Sequence, residues 1–292
     1  MSTVGVADIA PEVGAEAEAP APAGAPAPAR RRPKRRIGAT VLPPLVVLAA
    51  LIGLWYFLGY RLPEERRFLL PYPHEVVQEG VLDGEAFSEI MASMWLTTRL
   101  ALTGLVLAIA LGMLLGIAMH RSNLVERAAY PYLVALQAIP ILAITPLMII
   151  AFGSGATSKT IVCVIIAFFP IPTNLLLGMK SVDRGMLDLF SLHGATWRTQ
   201  LRRLSLPASM PALFTGFRIS AGLAVIGAIV GELFFQQGEP GLGLRLVQYR
   251  QRLMYEQLYS CLIWSSLLGI AVFLFFGWLG HRVVRSWHES AA

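Results

Sequence analysis

Six stretches of this chain are apolar enough, at about twenty residues each, to cross the hydrocarbon core of a bilayer. A backbone in lipid has no water to satisfy its N–H and C=O groups, so each such stretch must bond internally as a helix. The expected fold is therefore all-α, a polytopic membrane protein with six transmembrane helices over about residues 39–59, 100–119, 128–152, 160–179, 212–235 and 258–279. Composition agrees: 55% hydrophobic and 14% charged residues exclude a soluble domain of this length.

The expected organisation is a disordered Ala/Pro-rich tail over residues 1–36 and a membrane domain over 37–292. The tail ends in the basic cluster Arg30–Arg36 directly before the first apolar run, which points to an orientation signal retained on the cytoplasmic side rather than to nucleic acid or anionic lipid. Trp55, Tyr56 and Phe57 close that run as an interfacial anchor, and a short amphipathic helix is expected around Glu75–Leu82. Gly104, Ala108, Gly112 and Gly116 recur every four residues in the second span, as do Gly216, Ser220, Ala224 and Ala228 in the fifth, a spacing that lets helices approach closely in lipid.

Pro131, Pro140 and Pro146 should kink the third span, and Pro140 and Pro146 are candidates for lining a translocation path. Asn174 in the fourth span is either a helix–helix hydrogen bonder or a path residue. Glu232 near the outer end of the fifth either lines the path or makes interfacial hydrogen bonds. Six spans put both termini and the loop over residues 180–211 on one side, and the excess of Lys and Arg there makes that side cytoplasmic.

Catalytic machinery is not legible. His74, His120, His193, His281 and His288 are scattered outside the spans without metal-ligand spacing, and Cys163 and Cys261 fall inside spans as small apolar filler. The segment Gly153–Thr160 resembles a phosphate-binding loop, but Ser158 holds the second glycine position and the segment joins two membrane spans. The chain is expected to be no enzyme and to bind no cofactor. Active transport would then draw on a separate subunit or on an ion gradient.

The loop 180–211 reads as a helical hairpin, Gly185–His193 and Ala195–Leu204, with Gly194 at positive φ between them. Trp197, Leu201 and Leu204 form an apolar stripe beside Arg198, Arg202 and Arg203, and Pro207 and Pro211 are expected to end the helix. Asp188-Leu189-Phe190, then three residues, Gly194, nine residues and Leu204-Ser205-Leu206-Pro207 resembles the EAA loop of permease subunits of ABC-type importers. Leu189 and Phe190 replace that motif's two alanines. The strings LLPYPHEVV, IPILAITPLMIIAFGSGATSK, FFPIPTNLLLGMKSVD, LPASMPALFTGFRIS and GELFFQQGEPGLG are similar to the nitrate/sulfonate/taurine branch of these permeases.

The resemblance implies a type I ABC importer permease of the bacterial inner membrane, with N- and C-termini cytoplasmic. It implies that the hairpin couples to cytoplasmic ATPase subunits that hold ATP and Mg, that a soluble binding protein delivers cargo from outside, and that a second permease copy completes a homodimer. Asp188, Gly194, Trp197, Arg198, Leu201, Leu204, Leu206 and Pro207 are the coupling residues it singles out, with Trp197, Leu201 and Leu204 forming the docking face. Candidate cargoes are sulfonate-, taurine- or nitrate-like anions, or pyrimidines, thiamine precursors and riboflavin-like compounds. The alternative is a secondary transporter driven by an ion gradient, against which stands the scarcity of charge in the middle of the spans.

Overall fold

The computed structural model describes residues 37–285. The expected tail over 1–36, with its basic cluster, lies outside them. The described residues divide into two units at Ala50/Leu51; the first is the leading portion of α1 (Ile37–Arg61).

The second unit carries the rest of α1 and then α2 (Pro73–Val77), followed by a π turn over Gln78–Leu82, α3 (Gly84–Arg121), α4 (Asn123–Ala138) and α5 (Ile141–Phe152). Next come α6 (Ala156–Phe168), α7 (Pro170–Lys180), α8 (Arg184–Leu192), α9 (Trp197–Gln200), α10 (Leu206–Phe234), α11 (Leu242–Gln251) and α12 (Tyr255–Val284). Among the described residues, five helical stretches are long and apolar enough to cross a membrane, or six if α4 and α5, bent by 105°, count as one span.

The end of α1 is tied to the next turn by its aromatic residues. Trp55 Nε1 donates to Pro71 O at 3.1 Å, and Tyr56 stacks on Tyr72 with ring centroids 5.6 Å apart. The expected amphipathic piece over Glu75–Leu82 is α2 with its π turn, which packs on α12 through the Ser260 Oγ donation to Gly80 O at 2.9 Å.

Three spans differ from the sequence boundaries for identifiable reasons. The second is the whole of α3, started by Asp83, whose carboxylate accepts from Glu85 N. The third is broken rather than kinked: Pro140 has no N–H to donate, and it holds Ile139 in an extended conformation, while Pro131 and Pro146 are absorbed inside α4 and α5. The fifth begins much earlier than expected, because Pro207 and Pro211 do not end the helix; Trp197–Phe234 is one continuous stretch of 38 residues. A π turn over Leu201–Ser205 widens the helix just before Pro207, with Leu206 N reaching back to Leu201 O, so the proline ring is accommodated and the chain carries on.

Helix α10 is the hub, packed against α3, α6, α7 and α12. Lipid supplies no hydrophobic drive between helices, so close contact of small residues has to hold them. Both small-residue stripes serve this. A side chain at Gly104 would collide with Cys163, one at Gly112 would come within 2.8 Å of Ile171 Cβ, and one at Gly116 within 2.9 Å of Leu175 Cδ2. On α10, Gly216 passes the Pro170 carbonyl, where a Cβ would stand 2.9 Å from the oxygen, and Ser220, Ala224 and Ala228 are buried. The core between these faces is built from Leu105, Ala108, Cys163, Ile171, Leu175, Leu213 and Ala224.

Gly112→Val forces its added carbons into Ile171 and Pro172 and is expected to destabilise the bundle by about 1–3 kcal/mol. The check is the melting temperature of the purified chain in detergent; an unchanged value would mean that α3 and α7 are not held at that contact.

Candidate functional site

Two constructions stand out, at opposite ends of α10 and about 39 Å apart along its axis from Leu206 to Glu232. The first is the hairpin. Asp183 caps α8, its carboxylate accepting from Gly185 N at 2.7 Å, and Thr196 caps α9. Between them Gly194 sits at φ +67°, with its N–H donating to Ser191 O and the Ala195 N–H to Phe190 O. That paired arrangement is the Schellman closure of a helix end, which needs a left-handed residue at the glycine position.

The two arms face different ways. Trp197, Leu201 and Leu204, expected as a docking face, are turned into the chain's own bundle: Leu201 and Trp197 pack on the core with Leu175 and Met179, and Leu204 is buried as well. Arg121 lies over the Trp197 ring at 5.2 Å and clamps this arm from above. Arm α8 has no buried residue at all, and its Met186, Leu189 and Leu192 are exposed, Leu192 at 84%. Asp188 and Arg198 are exposed beside it, and Leu206 and Pro207 are half-buried where the π turn meets α10.

At the other end, the Glu232 carboxylate is 3% exposed and fully engaged. Thr97 Oγ1 on α3 donates to both of its oxygens at 3.0 and 2.9 Å, and Gly243 N donates to Oε2 at 2.8 Å. Thr97 in turn accepts from Leu242 N at 2.8 Å. Gly241 and Gly243 close over the carboxylate so tightly that a Cβ on Gly241 would overlap it, and one on Gly243 would overlap the Ile229 carbonyl. The turn that follows Glu232 is thus folded back onto it, and α11 starts from there. Lys159, buried at the head of α6, donates to Gln237 O at 2.7 Å and fixes the other limb of the same turn.

A cavity of about 330 Å³ opens beside this node, lined by Arg99, Thr103, Lys159, Thr160, Glu232 and Glu239 among others. Farther along α11, Arg245 pairs with Glu89 at 3.3 Å and Tyr249 donates to the same carboxylate at 3.2 Å. Burial, with the Glu89 charge beside it, pushes the Tyr249 phenol up to about 12, so it keeps its proton near neutral pH.

Residues 108–285 match the family model described as the binding-protein-dependent transport system inner membrane component. The chain belongs to this family. ThiX of Halalkalibacterium halodurans, a formylaminopyrimidine transport permease protein, is 37% identical to the permease over 239 residues, covering 80% of this chain and 90% of that one. SsuC of Bacillus subtilis, whose name assigns it provisionally to aliphatic sulfonates transport, is 29% identical over 280 residues, 94% and 98% of the two chains. RibX of Chloroflexus aurantiacus, a riboflavin transport system permease protein, is 35% identical over 165 residues, 56% and 60% of the two chains. A crystal structure of an amino acid ABC transporter superposes with a TM-score of 0.53 at 17% identity, over 69% of this chain and 95% of that chain, a likeness of fold.

The remaining candidates in the permease fall into two groups. Asn174 spends its amide locally, Nδ2 donating to Pro170 O at 2.8 Å, where α7 meets Gly216 of α10. Pro140 and Pro146 are exposed on the broken pair α4–α5. Sequence reasoning missed Thr97 and Gly243 as partners of Glu232, Gly241 and Lys159 as the residues that shape the turn around it, and Met186, Leu189 and Leu192 as the free apolar face. The glycine pair in GLG was a signal for the first set; the i, i+3, i+6 spacing in α8 was one for the second.

Proposed function

We propose that this permease is the membrane-spanning half of an ATP-driven importer, and that arm α8 is where a separate cytoplasmic ATPase, carrying ATP and Mg, takes hold. The observation that carries this reading is the unburied apolar face of α8, held by Gly194 against a helix that runs unbroken into the membrane. The Trp197–Leu204 arm is the fixed end of the lever and α8 the gripped end. Closure of the ATPase pair then moves α8, the buried second arm follows as a rigid body, and α10 carries the displacement across the bilayer. On this reading the hairpin, both termini and the basic tail are cytoplasmic, and a soluble binding protein meets the opposite side, near α11.

A second copy of the chain completes the path, for which Pro140 and Pro146 remain our candidate lining residues because the α4–α5 pair is exposed in the single chain. We infer a small cargo, and a flat nitrogen heterocycle ahead of a sulfonate-like anion. Support comes from the names of ThiX and RibX and from the few cations inside the spans, among them Arg99, Arg218 and Lys159, the last already committed to Gln237.

Replacing Met186, Leu189 and Leu192 together with serine is expected to release the ATPase during gentle purification and to reduce uptake at least about tenfold, with an unchanged melting temperature because these side chains are exposed. Leu201→Ala, by contrast, should destabilise the purified chain by about 2–5 kcal/mol. Co-purification of an ATPase with the serine variant at the wild-type level would sink the docking assignment. Solute movement by the purified chain alone, under a proton or sodium gradient without ATP, would replace it with a secondary transporter.

A further inference from the structure

Arg218 is a cation carried by the interior of α10, and among the described residues no carboxylate is within ion-pair distance of it. Its guanidinium carbon stands 4.0 Å from the centre of the Phe273 ring on α12, which stabilises the charge from one face. Its Nε is nevertheless buried without a hydrogen-bond partner. Charged groups in spans are costly and are retained where something pairs with them. Nothing in the fold described so far does so.

Beside Arg218 lies a cavity of about 410 Å³ between α10 and α12, where Arg218, Thr215 and His281 meet the apolar walls Phe214, Phe276 and Gly277. Thr215 has committed its proton to Pro211 O at 3.0 Å, which leaves the guanidinium as the cavity's permanently charged donor, with the His281 ring beside it. Glycines keep the slot open: a Cβ at Gly277 would stand 3.2 Å from Arg218 Nε, and one at Gly280 3.0 Å from Phe214 Cβ. Gly277 is about two turns, roughly 10 Å, before the end of α12 at Val284, so the site lies at the boundary between headgroups and acyl chains on the hairpin's side. Around it Leu274, Phe275 and Trp278 of α12 and Ile219 of α10 are exposed and apolar.

We propose that this cavity binds the phosphate headgroup of an anionic phospholipid, with Arg218 as its charge partner and Phe214 and Phe276 against the first carbons of the acyl chains. A soluble anion would share the guanidinium chemistry. The lipid is favoured because aromatic walls and an apolar rim suit an amphiphile and offer a hydrated ion nothing.

The test is native mass spectrometry of the full-length permease in mild detergent with phosphatidylglycerol and phosphatidylcholine supplied in equal amounts. Wild type is expected to retain phosphatidylglycerol at least about fivefold better, the preference one arginine near the headgroups supplies. Arg218→Gln should retain the two lipids equally, and Gly277→Leu, which fills the slot and keeps the charge, should do the same. Equal retention by wild type overturns the proposal with no variant needed, and so does an undiminished preference in Arg218→Gln. If millimolar inorganic phosphate stabilises lipid-free wild type against heat as well as phosphatidylglycerol does, and leaves Arg218→Gln unaffected, the occupant is a soluble ion and the lipid assignment is overturned.

Discussion

Gly194→Val is expected to abolish uptake while the chain still inserts in the membrane at its normal level. Beyond Gly194 and its two chain neighbours, no atom lies within 4 Å of where a Cβ on Gly194 would stand, so the effect is not a clash with a packed residue. It comes from the backbone. At φ +67° an L residue costs about 1–2 kcal/mol, and a β-branched one is a genuine outlier there. The turn relieves that strain by leaving the left-handed region, which breaks the Gly194 and Ala195 donations to Ser191 and Phe190 and swings α8 away from its arm. The spans do not depend on α8, which buries nothing, so insertion is spared. Gly194→Asn, which tolerates the left-handed region, should keep most uptake, and Gly194→Ala should fall between. Whole-cell uptake of labelled solute, normalised to the amount of permease in the membrane, separates the three. Normal uptake by the valine variant would end the coupling role of this turn.

Glu232→Ala should cost the folded chain about 2–5 kcal/mol of stability. The substitution leaves the Thr97 hydroxyl and the Gly243 N–H buried without their acceptor and opens a void under the Gly241–Gly243 turn. Because that turn starts α11, the damage should spread outward from it. A lower melting temperature and new protease cleavage between α10 and α11 are the expected readouts. Glu232→Gln keeps the shape and one acceptor oxygen and should lose less than half as much, because a single oxygen still receives one donor. Gly241→Ala attacks the same contact from the other side, its Cβ meeting the carboxylate. An alanine variant at 232 that melted like wild type and resisted protease would show the node to be incidental.

Most of the membrane architecture was legible because lipid narrows the choices: long apolar runs become helices, and small residues four apart become the contact faces of α3 and α10. What misled was proline. Pro207 and Pro211 looked like helix stops, but a π turn is a local rearrangement that leaves no mark on the hydrophobic pattern, whereas Pro140, expected to kink a span, breaks it. The hairpin turn was legible from one glycine. The orientation of its arms was not, since amphipathic spacing tells that a face is apolar without telling whether it meets its own bundle or the outside. Glu232 was visible as an acid near a span end, and its principal partner was not, because Thr97 lies 135 residues earlier and is one of several threonines in α3.

The same separation governs how the chain is made. Ribosome and translocon deliver α3 and α6 first, so Thr97 and Lys159 are already in the membrane when Glu232 arrives. The third wall, the Gly243 N–H, follows only 11 residues behind it. An acid entering lipid therefore finds one hydroxyl waiting and a backbone donor trailing close by, and span five has a reason to settle only after spans two and four have. The carboxylate that locks the finished bundle thus closes onto partners from both sides of it in the chain, one laid down 135 residues earlier and one only 11 residues later.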